Sequence, residues 1–182
     1  MERHPELLAL LERCTPAIQR DDVWARPIHM TSYVGAEQLP DELVTSIRVI
    51  VVVGDHVVVC TNADGHMHAW PGGRREPGET YIETACREVR EETGWIVDPS
   101  SLEAIGFLHV FNTGDPLPPY PHPDVLQLVM VGRASERAAE EWTDTEGYEV
   151  SSQLVRLSDS VALITEGEPM CVPFLELLRA GG

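Results

Sequence analysis

The chain contains no lysine. All 13 of its basic residues are arginine, set against 30 acidic ones, and the net charge is −17. Such a surface repels a phosphate backbone and no basic stripe interrupts it, so long RNA or DNA is not expected as a partner unless metals invert the field locally, and a small ligand fits better. An arginine-only basic set reflects GC-rich coding and points to a bacterial source. Cysteine is sparse as well: Cys14, Cys60, Cys86 and Cys171 lie scattered without pair spacing, so neither a disulfide framework nor a zinc site is expected. Long apolar runs are missing. The Leu-rich segment near the start is too short and too charged to span a bilayer, so no membrane span or signal peptide is expected, and the cytoplasm is the expected location.

What is present is concentrated in residues 73–95, GRREPGETYIETACREVREETGW. Helix-forming composition starts at Thr80, after the turn Glu76-Pro77-Gly78-Glu79, and Gly94 is a natural stop. Thr80 with Glu83 three residues on has the capping-box pattern. Ile82, Ala85, Cys86 and Val89 recur at helical steps and predict a buried stripe. Glu88, Glu91 and Glu92 stand at i, i+3 and i+4, so their carboxylates converge on one side of the helix. Like charges at that spacing call for a compensating cation, supplied partly by Arg87 and Arg90, and clustered oxygens suit Mg²⁺. An exposed helix laced with Glu–Arg pairs is the plainer account of three glutamates alone; the spacing of Gly73, Glu79 and Gly94 around them favours the metal. Ahead of the helix, Trp70-Pro71-Gly72-Gly73 lets the backbone approach a ligand closely, with the Gly72 carbonyl placed to face a metal.

The order Gly73, Glu79, Arg87-Glu88-Val89, Glu91-Glu92 and Gly94-Trp95 resembles the Nudix signature G-x5-E-x7-R-E-U-x-E-E-x-G-U, U being a bulky apolar residue. Trp95 stands where Ile, Leu or Val is usual. The resemblance implies an α/β fold in which a mixed β-sheet is sandwiched between α-helices. It also implies a hydrolase that cleaves the pyrophosphate bond of a nucleoside diphosphate linked to another moiety, or of a nucleoside triphosphate, with Mg²⁺ or Mn²⁺. By position in the motif, Glu88, Glu91 and Glu92 are the implied metal ligands with the Gly72 carbonyl as a fourth, and Glu79 and Arg87 orient them. Glu88 is the first choice of general base; Glu146 or Glu149, expected just before the last strand, is the alternative. A non-catalytic nucleotide-binding sensor on the same fold is the rival reading. Isomerisation of an isoprenoid diphosphate, which needs a cysteine–glutamate pair and a different motif, is a third.

The rest of the chain predicts a short helix over residues 4–14, then a less regular piece carrying Trp24 and Tyr33 as far as Asp41. Ile47–Val53 and Val57–Thr61 flank Gly54-Asp55 as a hairpin, and further strands are predicted over 66–70, 101–112, 125–131 and 153–157. Helices follow from a Ser158 cap to Ile164 and over 172–179. Residues 1–44 are expected as an N-terminal extension that covers a sheet edge, pairs with a second subunit in a homodimer or shapes the pocket, and residues 45–182 as the Nudix domain. Five prolines stiffen residues 114–123, where Tyr120, or Phe111 just before, is placed to stack on a base; Trp70 is a further candidate for substrate contact. His66 and His68 alternate along a strand and are expected at the surface. The residues that mark ADP-ribose or dinucleoside polyphosphate enzymes after the motif are absent, since that window holds His109 to Asn112.

Overall fold

The computed structural model describes residues 3–23, 25–138 and 149–181. A helix, α1 (Pro5–Arg13), precedes strands β1 (Ile18–Val23), β2 (Pro27–Val34), β3 (Val44–Val53), β4 (His56–Asn62) and β5 (Met67–His68). Helix α2 (Tyr81–Thr93) and β6 (Trp95–Val97) follow, then the long strands β7 (Glu103–Asn112) and β8 (Asp124–Arg137). The chain closes with β9 (Glu149–Arg156), α3 (Leu157–Ile164) and α4 (Val172–Ala180). The sheet runs β1-β2-β7-β8-β3-β4-β5, with β9 on β4 and β6 on β8. It is mixed: β3 and β8 are parallel, while the other strand pairs are antiparallel.

Strand alternation puts an apolar face on each side. Val49 and Val51 of β3 and Val58 of β4 face a core shared with Leu7 and Leu10 of α1 and Ala85 and Val89 of α2. Ile50, Val57 and Val59 face a second core with Ile164, Phe174 and Leu175 of the C-terminal helices. The result is the expected mixed sheet between helical layers.

Strands β3 and β4 pair only next to their turn, at Val52–Val57 and Val53–His56. Beyond it they part, while β4 stays paired with β9 along its length and takes up β5 at Cys60 and Thr61. Residues 71–73 occupy the β3 side of that opening: Ile47 N donates to Gly73 O at 3.0 Å and Val49 N to Pro71 O at 2.9 Å. Helix α2 packs across β3, β4 and β9 there, so the split delivers a loop and a helix to one place.

Several sequence-based expectations change. The supposedly irregular stretch before Asp41 contains β1 and β2, and β2 joins the sheet through β7 from Ile28–Asn112 to Val34–Gly106. Its partner β1 (IQRDDV) is polar because it is an edge strand with most side chains in solvent, so it carries no apolar alternation to read. Ile82 is exposed rather than part of the α2 stripe, whose buried residues are Thr84, Ala85, Glu88, Val89 and Thr93. Ser158 does not cap α3: the helix starts at Leu157, and the Ser158 hydroxyl donates to Asp159 at 2.8 Å. The third strand is two residues long, β6 was not anticipated, and Trp24 lies outside the described residues.

The α2 boundaries match the motif closely. Thr80 Oγ1 accepts from Glu83 N at 3.2 Å while Thr80 N donates to Glu83 Oε2 at 2.8 Å, and Gly94 ends the helix in the left-handed region at φ 71°. Thr80→Ala removes the first of these bonds and is expected to cost about 1 kcal/mol in urea unfolding.

Candidate functional site

Along α2 the register turns Glu88 inward, leaves Glu92 half-buried and Glu91 at the rim. Arg87 binds them together. Its Nε and Nη2 grip Glu79 in a two-pronged contact of 2.7 and 2.9 Å, and Nη1 donates to Glu88 at 2.8 Å and to Glu91 at 3.1 Å. Nη2 also donates to the Arg74 carbonyl at 2.9 Å, fixing the guanidinium to the loop before the helix. Glu79 further accepts from Glu76 N and the Thr84 hydroxyl. Arg87 above all, with those donors, holds the Glu79 carboxyl down to about 2.

The two glycines before the helix serve different ends. Gly72, at φ +150°, passes so close to β3 that a Cβ would lie 2.0 Å from Ile47 O. Its amide donates to Glu92 Oε2 at 2.7 Å. A Cβ on Gly73 would meet the Glu88 carboxylate at 2.6 Å, so the missing side chain there is the space that Glu88 fills.

Arg48, a lone cation within the apolar run of β3, donates to Gly72 O at 2.6 Å and to Gln127 at 3.1 Å. Its charge lowers the carboxyls of both Glu88 and Glu92, but burial acts more strongly and raises both. Burial carries Glu92 up to about 8. Carboxylates held at that cost mark a place built for a cation, and all-oxygen donors suit a hard divalent ion. The sequence reading passed over Arg48; its one signal was a charge isolated among β-branched residues.

A stability prediction follows from Glu92. Its folded-state carboxyl lies above the ordinary 4.5, so the folded protein holds the proton more tightly than the unfolded chain. The Glu92 contribution therefore favours folding below pH 4.5 and erodes as pH rises toward 8. Discounted for partial exposure, the loss is about 2 kcal/mol. Glu79 acts oppositely: its contribution is complete above pH 4.5 and is lost as pH falls toward 2. Urea unfolding in EDTA should show stability falling from pH 5 to 8.5, and Mg²⁺ should restore it at the upper end.

The remaining candidates are dispersed. Trp70 is buried and packs on Phe174 with ring centroids 6.1 Å apart, so its ring is part of the core. Phe111 is half-buried beneath Arg3, whose guanidinium lies 4.9 Å from the ring centre. Tyr120 accepts a hydrogen bond from Arg74, which also covers its ring at 4.7 Å, so the proline-rich loop is latched beside Gly73. Glu149 begins β9 instead of preceding it, and is buried and hydrogen-bonded to His68 at 2.7 Å. His68 is thus interior, not at the surface, while His66 is exposed. Their pairing across 81 residues of sequence left no local signal. Glu146 lies outside the described residues.

Residues 42–169 match the model of the NUDIX domain, well over half of the chain, and the protein belongs to the Nudix family. A 68-residue stretch is 40% identical to Nudix hydrolase 3 of Caenorhabditis elegans, covering 34% of this chain and 28% of that protein. The match thus spans under a third of that relative's length. Among solved structures, the Bacillus subtilis pyrophosphohydrolase BsRppH superimposes with a TM-score of 0.60 at 19% identity, over 90% of this chain and 98% of that one. A NUDIX hydrolase from Nitrosomonas europaea gives 0.58 at 19% identity, over 75% and 88%. At such identities the likeness is one of fold. No described helix is long and apolar enough to cross a membrane.

Proposed function

We propose that this protein is a metal-dependent pyrophosphohydrolase acting on a small nucleotide: a nucleoside diphosphate linked to another moiety, or a nucleoside triphosphate. The observation that carries the reading is the knot of Glu79, Glu88 and Glu91 on one arginine, with Glu92 anchored to Gly72 beside it. Membership of the Nudix family and the fold shared with a pyrophosphohydrolase support it. Residues 45–182 form the hydrolase domain in this reading, residues 1–44 an extension to it, and the setting is the cytoplasm of a bacterium. Pairing of two copies through the extension is part of the same proposal.

Glu88, Glu91, Glu92 and the Gly72 carbonyl would hold Mg²⁺ or Mn²⁺; Gly72 O has a second lone pair beside the one given to Arg48. Bound there, the ion neutralises diphosphate charge and makes water more acidic. The chain's own groups do the rest. Arg87, braced by Glu79 and the Arg74 carbonyl, fixes the Glu88 and Glu91 carboxylates in place before substrate arrives. Arg48 sets a permanent positive charge beside the carboxylates, where negative charge grows on the diphosphate. Glu88, held in place by Arg87, takes the proton of the attacking water. Tyr120, held by Arg74 beside Gly73, is the group we assign to the base of the nucleotide; Phe111, covered by Arg3, is not.

Gly73→Ala tests the positioning. The new methyl displaces only the Glu88 carboxylate, so the melting temperature should hold while kcat falls on the order of 100-fold. The reading itself is tested by assaying nucleoside diphosphate derivatives with Mg²⁺ or Mn²⁺: cleavage at the pyrophosphate that stops on adding EDTA supports it, and EDTA-insensitive cleavage contradicts it.

A further inference from the structure

On the face of the sheet that carries α2, the diverging strands bring Cys60 of β4, His68 of β5 and Glu149 of β9 together. Cys60 and His68 are cross-strand partners, and Glu149 pairs with Asn62, two residues along from Cys60. One ligand atom from each of the three lies within 4.8 Å of the others. His68 Nε2 and Glu149 Oε1 are 2.7 Å apart. Exposure is 0% for Cys60, 9% for His68 and 4% for Glu149, which closes the cluster to substrate.

We propose that Cys60, His68 and Glu149 are the protein ligands of a second metal site, built for a borderline-soft divalent ion of the Zn²⁺ type. The donor set separates it from the motif carboxylates. A thiolate and an imidazole suit Zn²⁺, whereas Mg²⁺ wants oxygen and keeps much of its water. A tetrahedral ion with bonds of about 2.0–2.3 Å holds its donors about 3.5 Å apart, so the His68–Glu149 pair at 2.7 Å has to open and the wider separations, none above 4.8 Å, have to close, shifts of about 1 Å within reach of small side-chain rotations. An ion binds the Cys60 sulfur as thiolate and a neutral His68 ring through one nitrogen, with the ring proton on the other, so binding displaces the thiol proton. Affinity for the ion should therefore rise with pH. The other ring nitrogen, His68 Nδ1, is buried with no hydrogen-bond partner among the described residues, so the imidazole has more polar capacity than those residues use. Such an ion would clamp β4, β5 and β9 together beneath the end of α2. The assignment shares no ligand with Glu88, Glu91 or Glu92, stands apart from the hydrolytic reading, and gives Glu149 to the ion instead of to the attacking water.

The test uses the full chain stripped with chelator and titrated with Co²⁺ in excess Mg²⁺, which occupies all-oxygen sites. One equivalent of Co²⁺ should bind with a sulfur-to-cobalt charge-transfer band and tetrahedral d–d absorption. The band should vanish in Cys60→Ser, weaken at least 10-fold in apparent affinity in His68→Gln, and persist in Glu91→Gln/Glu92→Gln. Absence of the band in the unmodified chain overturns the proposal, and so does a band that survives in Cys60→Ser. Should the Cys60 variant fail to fold, X-ray absorption of the zinc-loaded unmodified chain decides. One sulfur near 2.3 Å supports the site, and a shell of nitrogen and oxygen alone overturns it.

Discussion

Glu92→Gln is expected to cut hydrolysis of a nucleoside diphosphate derivative by on the order of 1,000-fold while making the metal-free protein more stable at pH 8. Both effects come from one charge. Glutamine keeps the length of the side chain and still accepts from the Gly72 amide, so the loop–helix contact of 2.7 Å survives. It removes a carboxylate whose ionisation burial opposes until about pH 8, which should return about 2 kcal/mol of stability in EDTA. It also removes an anionic oxygen from the set that faces the cation, and that loss falls on turnover. Retained activity would mean that Glu92 is an ordinary structural glutamate, and unchanged or lower stability at pH 8 would mean that its burial costs the fold nothing. The paired assays are kcat with saturating Mg²⁺ and urea unfolding in EDTA.

Gly72→Ala should damage the molecule in another way. The added methyl would sit 2.0 Å from Ile47 O and 2.8 Å from Arg48 Cα, against backbone that cannot swing aside, at a φ of +150° that alanine resists. Relief requires pulling residues 71–73 off β3, which breaks the bonds from Ile47 N and Val49 N and carries the Glu92 anchor away. A destabilisation of roughly 3 kcal/mol is expected, with activity lost even at temperatures where the variant stays folded. Thermal unfolding of Gly72→Ala beside Gly73→Ala reads the contrast: the first should melt early, and the second should melt like the unmodified chain.

The part of the site that could be read in the sequence is the part held on one element. Thr80, Glu83 and Gly94 fix the ends of α2 by local hydrogen bonds and a left-handed cap, so the spacing of Glu88, Glu91 and Glu92 translates directly into positions in space. Glu79 and Arg87 are eight residues apart and meet across the first two turns of α2. What could not be read depends on strands far apart in the chain. Arg48 reaches Gly72 across the opened sheet, and His68 reaches Glu149 from another strand. Trp70, beside the motif, resembles a ligand-stacking residue in sequence, yet it lies past the end of β5 with its ring buried in the core against Phe174. Strand β1 escaped notice because an edge strand stays polar, and β2, which is interior, because the buried polar pair Thr31-Ser32 breaks its apolar run. Ile82 shows the converse: its spacing fits the α2 stripe, but its side chain stays exposed.

The central claim is that the Glu88, Glu91 and Glu92 set drives hydrolysis of a pyrophosphate bond. It is tested most directly by running one nucleotide panel with the unmodified protein and with Glu91→Gln/Glu92→Gln. The panel holds ADP-ribose, NADH, diadenosine polyphosphates, nucleotide sugars and canonical and oxidised triphosphates, in ¹⁸O-labelled water with Mg²⁺ or Mn²⁺. The account predicts cleavage of one class, one labelled oxygen on a product phosphate, and loss of that reaction in the double variant. Equal turnover by the two proteins, or nucleotide bound but never cleaved by the unmodified chain, would contradict it.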